Sequence, residues 1–133
     1  MTELHIVKLG RGPRVISVNG DGPSQGCEKS FAEQRGLGDE FELIFLDRHG
    51  FGNNPSTDHG DYIADAQGIA DVLGQGAHLV GYSGGGLACL LAAYYRPDAV
   101  RSLTLIEPPA VAIARGNPAV ENFIKRFSNM STK

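Results

Sequence analysis

One stretch of this chain, residues 77–96, constrains its fold more than any other. An apolar run is followed by a glycine-rich turn and then by a largely apolar segment that ends before Pro97. Proline cannot continue a helix, and the apolar residues after the turn recur at helical spacing, so the stretch predicts a strand, an abrupt turn and a helix. The apolar stripe expected on that helix comprises Leu87, Leu90, Leu91 and Tyr94.

Ser83 lies at the turn, between Gly81 and Gly85 in the spacing G-x-S-x-G. A side chain at position 81 or 85 would collide with the neighbouring strand or helix where the chain reverses. Glycine at these positions therefore lets the serine hydroxyl stand clear at the end of the strand. This arrangement is a nucleophile elbow, in which a serine is held at a strained corner. The alternative interpretation is a glycine-rich turn with an idle serine.

The rest of the chain alternates between strands and helices. Strands are predicted at 4–9 (an edge strand), 14–18, 41–46, 77–82 and 100–106. Helices are predicted at 28–35, from the N-cap Asp61 to 73, after Ser83, and at 118–127. This alternation predicts an α/β fold with a mainly parallel sheet flanked by helices, in one domain covering 1–133.

Polar and glycine-rich residues follow the predicted central strands at the point where each ends. They are residues 19–21, 47–49, 82–84 and 107–108. In a parallel sheet, functional groups gather beyond the carboxyl ends of the strands. The sequence therefore predicts a functional site at this rim of the sheet.

Composition excludes several classes of partner. The net charge is −3 with no basic run, which argues against nucleic acid and anionic membranes. No apolar segment approaches the length of a membrane span, and the N-terminus lacks a signal-peptide layout, so we expect a cytoplasmic protein. Cys27 and Cys89 are expected to be free thiols, with Cys89 a small core residue. No cofactor or metal is expected.

Four segments resemble successive landmarks of the α/β-hydrolase superfamily. They are residues 14–20, 47–52, 81–85 and 105–109, which occur in the order of that family. The resemblance implies the N-terminal portion of such an enzyme, so we expect a truncated α/β-hydrolase fold that lacks the C-terminal strands. The strand 100–106 would then be an exposed sheet edge, open to self-association.

The resemblance implies a serine hydrolase that acts on an ester or related acyl bond of a small-molecule substrate. Ser83 is the expected nucleophile, and the backbone N–H of Gly84 is the first donor to the oxyanion. The second donor is the N–H of Asp21, which follows Asn19 where the family usually has histidine. The carboxylate of Asp21 is expected to face away, because it would otherwise repel the oxyanion. Asn19 is expected to hold this loop through local hydrogen bonds.

The catalytic base and acid are not identified by the sequence. In the family a histidine follows the nucleophile, yet all four histidines of this chain precede Ser83. His49 lies on the functional rim, and Glu107 ends the strand after the elbow helix, so these two are the candidates. The others are interpreted as surface or solvated residues: His5, His59 and His78.

Two further interpretations remain open. The chain could be a non-catalytic hydrolase-like remnant with an interaction role. It could also bind a dinucleotide through the glycines at 84–86, with Glu107 on the ribose. The dinucleotide pattern is incomplete, because Cys89 stands where the third glycine or alanine belongs.

Overall fold

The computed structural model describes residues 3–21, 26–55 and 61–131. They form one mainly parallel sheet of five strands. The strands are β1 (Ile6–Gly10), β2 (Arg14–Val18), β3 (Glu42–Leu46), β4 (Ala77–Tyr82) and β5 (Val100–Ile106). The helices are α1 (Cys27–Ser30), α2 (Tyr62–Leu73), α3 (Gly84–Tyr95) and α4 (Pro118–Ser131), with short 3-10 segments at Ala32–Asp39, Pro97–Ala99 and Val111–Ala114.

The strand order is β1-β3-β2-β4-β5. β1 pairs antiparallel with β3, whereas the other three pairings are parallel. The predicted mainly parallel sheet is therefore confirmed, and so is the position of the first strand at an edge. β5 lies at the opposite edge of the sheet that the described residues form.

Apolar side chains cover both faces of the sheet. Successive residues of a strand point to opposite faces, and the last four residues of β3 are all apolar and buried. Ile44 and Leu46 join the larger core, which packs against α2 and α3. Leu43 and Phe45 join a smaller core with Cys27 and Phe31. Burial on both faces explains why the central strands read as continuous apolar runs in the sequence. Within the described part of the chain, no helix is both long and apolar enough to cross a membrane.

Two helix predictions are corrected by the structure. The helix expected at 28–35 is instead α1 followed by the 3-10 segment Ala32–Asp39, with Phe31 at φ −113° between them. Phe31 turns its side chain into the smaller core, and glycines at 36 and 38 disfavour a regular helix. The last helix, α4, continues past residue 127 to Ser131, because no glycine or proline interrupts it.

The buried face of α3 differs from the predicted stripe. Tyr94 is 79% exposed and Leu90 is 39% exposed. The buried face consists instead of small residues with the same helical spacing: Gly85, Ala88, Cys89 and Ala92. α3 approaches the sheet too closely for large side chains, since a Cβ at position 85 would lie 2.3 Å from the carbonyl oxygen of Asn19. The helical period was therefore predicted correctly, and the orientation was wrong for Leu90 and Tyr94, whereas Leu91 packs partly against the larger core.

Candidate active site

Ser83 occupies a strained corner between β4 and α3. Its backbone has φ 52° and ψ −121°, a left-handed φ that side chains rarely adopt. The corner is held by two backbone hydrogen bonds: Ser83 N–H donates to the Ile106 carbonyl at 2.8 Å, and Gly86 N–H donates to the Ser83 carbonyl at 2.8 Å. Such strain costs about 1–3 kcal/mol and persists only where the surroundings enforce it.

The hydroxyl of Ser83 is not used to cap the helix. A serine at an N-cap position normally accepts a hydrogen bond from a backbone N–H of the first turn. Ser83 is the N-cap of α3, yet its side chain makes no such bond. The corner therefore presents the hydroxyl instead of folding it back onto the helix.

The glycines at the corner are required by close backbone approaches. A Cβ on Gly81 would lie 2.6 Å from the Gly85 carbonyl oxygen. A Cβ on Gly85 would lie 2.3 Å from the Asn19 oxygen and 2.5 Å from the Val18 oxygen. Because these are backbone atoms, a side chain could not be accommodated without moving the strand or the helix. The collisions expected from the sequence are present.

The loop after β2 lies directly beside Ser83. A Cβ on Gly20 would be 3.0 Å from the Cβ of Ser83. Asn19 is 3% exposed, its Nδ2 donates to the Gly20 carbonyl at 3.0 Å, and its Oδ1 accepts from Arg48 N–H at 3.2 Å. The local hydrogen bonds expected of Asn19 are therefore found, and one of them ties this loop to the loop after β3.

The carboxylate of Asp21 does not face away from the corner, in contrast to the expectation. Both of its oxygens lie 2.5 Å from the point that a Cβ on Gly84 would occupy. Gly84 is the first residue of α3 and is not among the glycines with positive φ. The glycine is therefore needed there for space, because the Asp21 carboxylate fills the volume of a side chain at position 84.

A buried arginine holds that carboxylate in place. Arg48 Nη1 lies 2.5 Å from Asp21 Oδ1, and Arg48 Nε lies 2.9 Å from Oδ2 of Asp65. The guanidinium also lies over the rings of Phe51 and Tyr62, at 4.8 and 5.0 Å from their centroids. Burial opposes its charge, but the hydrogen bonds to Asp65 and Asp21 outweigh burial and raise the pKa of Arg48. The arginine therefore stays charged inside the protein.

This network was missed by the sequence analysis. Asp65 is completely buried on α2, whose other buried residues, Ala66, Ile69 and Leu73, are apolar. A carboxylate so close to an apolar stripe is the one sequence signal that would have predicted a buried cationic partner. The sequence alone does not say that the partner is Arg48, which is 17 residues away.

A cavity of about 630 Å³ opens beside Ser83. Asp21, Tyr62 and Glu107 contribute polar groups to its wall. Burial, together with the charge of the Asp21 carboxylate, raises the pKa of Tyr62, so its phenol stays neutral near pH 7. The apolar part of the wall consists of Leu87, Pro109, Val111, Phe123 and Ile124.

Glu107 lies at the cavity, whereas His49 does not. Glu107 is exposed and has φ 48°. Among the described residues, Glu107 and Ser83 are the two non-glycine residues with a positive φ. His49 Nδ1 lies 2.9 Å from Oδ1 of Asp65, and its side chain lines a different cavity of about 540 Å³. Of the two candidates for acid and base, the structure brings only Glu107 to the Ser83 cavity.

The two other described histidines, His5 and His78, also lie elsewhere. His78 is on β4 and its Nδ1 lies 2.7 Å from Ser102 Oγ on β5, while the backbone of His5 donates to Asn54 Oδ1 at 2.8 Å before β1 begins. His59 lies outside the described residues. Among the described residues, no histidine lines the cavity that contains Ser83.

Neither cysteine competes with the serine as a nucleophile. Cys27 and Cys89 are free thiols and both are completely buried, as expected for Cys89. Burial raises the pKa of Cys89 to about 12, and burial likewise raises the pKa of Cys27. Since the thiolate is the reactive form, both side chains are inert near neutral pH.

The geometry disfavours a dinucleotide at the start of α3. A pyrophosphate would need the helix N-terminus to be open to an anion. The Asp21 carboxylate lies against Gly84 at that position, and a Cβ on Gly85 would collide with the Asn19 carbonyl. Negative charge and close packing therefore occupy the space that a pyrophosphate would require.

The backbone strain at Ser83 predicts that two substitutions at this position differ in their free energy of unfolding. Ser83→Gly is expected to raise the free energy of unfolding by about 1 kcal/mol relative to Ser83→Ala, because glycine tolerates a positive φ and alanine does not. Urea denaturation of the two variants measures this difference. Equal stability of the two variants, or a more stable alanine variant, would show that the corner is relaxed.

Comparison with known proteins identifies the family. A model of the alpha/beta hydrolase family matches residues 19–130. The chain belongs to the α/β-hydrolase family, which confirms the resemblance and the fold expected from the sequence.

Similar proteins include two bacterial esterases. The chain is 32% identical over 83% of its length to a pimeloyl-[acyl-carrier protein] methyl ester esterase of Aeromonas salmonicida. It is 33% identical over 89% of its length to the protein of that name from Methylococcus capsulatus. The chain spans 43% and 46% of the lengths of these two relatives.

Solved structures show the same fold. A thermophilic esterase from Thermogutta terrifontis is 28% identical, with a TM-score of 0.66 over 77% of this chain and 39% of its own. A marine microorganism esterase is 22% identical, with a TM-score of 0.68 over 77% of this chain and 41% of its own.

Proposed function

We propose that this chain carries the nucleophile and the oxyanion-binding groups of a serine esterase. The observation that supports this most is the left-handed Ser83, held at the carboxyl end of β4 beside a cavity of about 630 Å³. A strained serine whose hydroxyl does not cap its own helix is typical of a nucleophile and unusual in a structural turn.

In the proposed reaction, Ser83 Oγ attacks the carbonyl carbon of an ester. The carbonyl oxygen becomes an oxyanion, which the backbone N–H groups of Gly84 and Asp21 stabilise. Gly84 opens α3, and the first N–H groups of a helix have no partner within the helix and carry partial positive charge. Arg48, which is shared with Asp65, offsets part of the negative charge that Asp21 places next to Gly84. The leaving alcohol receives the proton that a base has taken from Ser83, and water then attacks the acyl-enzyme and releases the acid, returning a proton to Ser83.

The base that takes the proton from Ser83 is proposed to come from outside these 133 residues. None of the described histidines lines the cavity, and His49 is bound to Asp65 instead. The two esterase relatives are more than twice as long as the part that this chain matches. Glu107 lines the cavity and is the proposed acid that would orient such a base.

The proposed substrate is an ester with an apolar acyl chain. Leucine, valine, phenylalanine and isoleucine side chains line the cavity together with the polar groups. The relatives are named as esterases of an acyl methyl ester, which agrees with that lining. We place the protein in the cytoplasm, where its two buried cysteines would stay reduced.

Chemical rescue tests this proposal. If the chain has a nucleophile and oxyanion donors but no base, then added imidazole should accelerate hydrolysis of p-nitrophenyl butyrate. We expect the imidazole-dependent rate of the wild-type chain to exceed that of Ser83→Ala by at least about tenfold, since the variant keeps the proposed oxyanion donors and loses only the nucleophile. Ser102→Ala, on the exposed face of β5, should behave like the wild type.

The proposal would be contradicted if the hydrolysis rates of the wild type and Ser83→Ala rose equally with imidazole concentration.

The observation that favours a non-catalytic remnant is the lack of a described histidine at the cavity. In that case the outer edge of β5, which has no partner strand among the described residues, is the proposed site of self-association.

A further inference from the structure

The cavity beside Ser83 presents negative charge to a ligand. Asp21 and Glu107 line it, and no lysine, arginine or histidine of the described residues does. The polar groups that complete its wall, the hydroxyls of Tyr62, Tyr82, Ser83 and Ser128, are uncharged. A ligand in this cavity therefore meets carboxylates without a facing cation.

The ion pair with Arg48 does not hide the charge of Asp21. The Asp21 side chain is 40% exposed, whereas that of Arg48 is 1% exposed and lies behind it. Arg48 is also shared with Asp65, so one cation serves two carboxylates. Even with His49 protonated, the set of Asp21, Arg48, Asp65, His49 and Glu107 remains negative. The exposed member of the ion pair, which a ligand would contact, is the anion.

The rest of the wall is suited to a hydrocarbon chain. The apolar side chains come from three separate parts of the fold: the start of α3, the loop after β5, and α4. A cavity of about 630 Å³ is within the range of small-molecule sites. Apolar lining supplies affinity for a chain, while the two carboxylates determine which end groups are tolerated.

We infer that the Ser83 cavity binds uncharged acyl compounds in preference to carboxylates of the same chain length. This inference builds on the proposed esterase function, because it names the class of acyl group that would reach Ser83. An anionic group in the cavity would be repelled by Asp21 and Glu107, most strongly at low ionic strength, where little salt screens the charges. A neutral ester would meet no such repulsion.

Binding of two ligands of nearly equal shape tests the inference. Hexanamide and hexanoate differ by one charge, and both can be titrated at pH 7.5 and low ionic strength while amide chemical shifts of the full chain are followed. We expect hexanamide to bind at least tenfold more tightly, with shift changes at Leu87, Val111 and Ile124. The preference should shrink in 0.5 M NaCl, where charges are screened. Equal affinities, tighter binding of hexanoate, or no binding of either ligand would overturn the inference.

Two variants identify the groups responsible. Asp21→Asn removes one charge with little change in shape, and it should raise the affinity for hexanoate several-fold without changing that for hexanamide. Glu107→Gln should act in the same direction, and it tests the inference if the first variant does not fold. Asp39→Asn is the matched control, because Asp39 is exposed at the end of its 3-10 segment and does not line the cavity. If both cavity variants bound hexanoate with the affinity of the wild type, the inference would be contradicted.

The variant Ser83→Ala separates this inference from the proposed function. It should abolish every Ser83-dependent reaction but leave the preference for hexanamide intact, because no bond to Ser83 is needed for binding. A wild-type chain that binds selectively but shows no Ser83-dependent rate would refute the esterase proposal alone. A chain that reacts through Ser83 but binds both ligands equally would refute the charge selectivity alone.

Discussion

Replacing Arg48 with methionine is expected to lower the free energy of unfolding by about 3–5 kcal/mol, because removing one partner of a buried ion pair leaves an uncompensated charge. Asp65 is completely buried and accepts from Arg48 Nε at 2.9 Å. Its other oxygen accepts from the backbone N–H of His49 at 2.9 Å. Methionine preserves much of the apolar volume of the arginine, so the loss would come mainly from the charge.

Urea denaturation of the wild type and Arg48→Met measures this effect. Arg96→Met is the matched control, since Arg96 pairs with Asp98 at 3.4 Å on the surface and such pairs contribute about 0–1 kcal/mol. Adding Asp65→Asn to Arg48→Met should recover part of the lost stability, because the buried carboxylate becomes neutral. A loss of less than about 1 kcal/mol in Arg48→Met would show that the buried network is not important for the fold.

The same substitution should also disturb the site. Arg48 contacts Asp21 directly and connects it to α2 through Asp65. Without that connection the loop after β2 keeps the hydrogen bonds of Asn19 and a 3.3 Å hydrogen bond from the Tyr62 hydroxyl to Asp21 Oδ2. We therefore regard Arg48 as a positioning residue, which acts on the proposed oxyanion donor through Asp21.

The strands could be predicted from the sequence because burial on both faces leaves a strong local signal. β2 and β5 match their predicted bounds, and β3 differs by one residue at its start. The N-cap Asp61 was also predicted correctly, since its side chain accepts from the Ala64 N–H at 3.0 Å. These features depend on residues that are close together in the chain.

Features that depend on distances between elements could not be predicted. The face of α3 was predicted from the largest apolar residues, but the short distance between helix and sheet selects the smallest ones. The direction of the Asp21 carboxylate was also wrong, because Arg48 attracts it and Gly84 leaves space for it. In both cases a tertiary contact overrides a preference inferred from local sequence.

The corner at Ser83 could be predicted in part: its backbone could be predicted from the sequence, whereas its chemistry could not. The spacing of glycines predicted the strand, the turn and the helix, since each glycine marks a close backbone approach that the structure contains. The spacing does not determine the chemistry. The role of Ser83 as a nucleophile, with donors from Gly84 and Asp21, therefore stays a prediction.

Covalent labelling of Ser83 is the second large effect that we expect. A fluorophosphonate reacts with a serine that is presented beside oxyanion donors, because the oxygen on its tetrahedral phosphorus occupies the place of the oxyanion. Labelling is expected to be slow without a base and to be restricted to Ser83. The buried thiols of Cys27 and Cys89 should not react.

Ser83→Ala should remove the labelling entirely, whereas Ser102→Ala, which loses an exposed hydroxyl elsewhere on the sheet, should label like the wild type. Thermal melting of both variants verifies that they remain folded. The comparison separates a reactive corner from general reactivity of serine hydroxyls.

Mapping the adduct by peptide mass spectrometry is the most direct measurement. The account predicts a single phosphonylated peptide that contains Ser83 in the wild type and none in Ser83→Ala. An adduct at another residue, or no adduct at Ser83 after prolonged incubation of the folded chain, would contradict the assignment of Ser83 as the nucleophile.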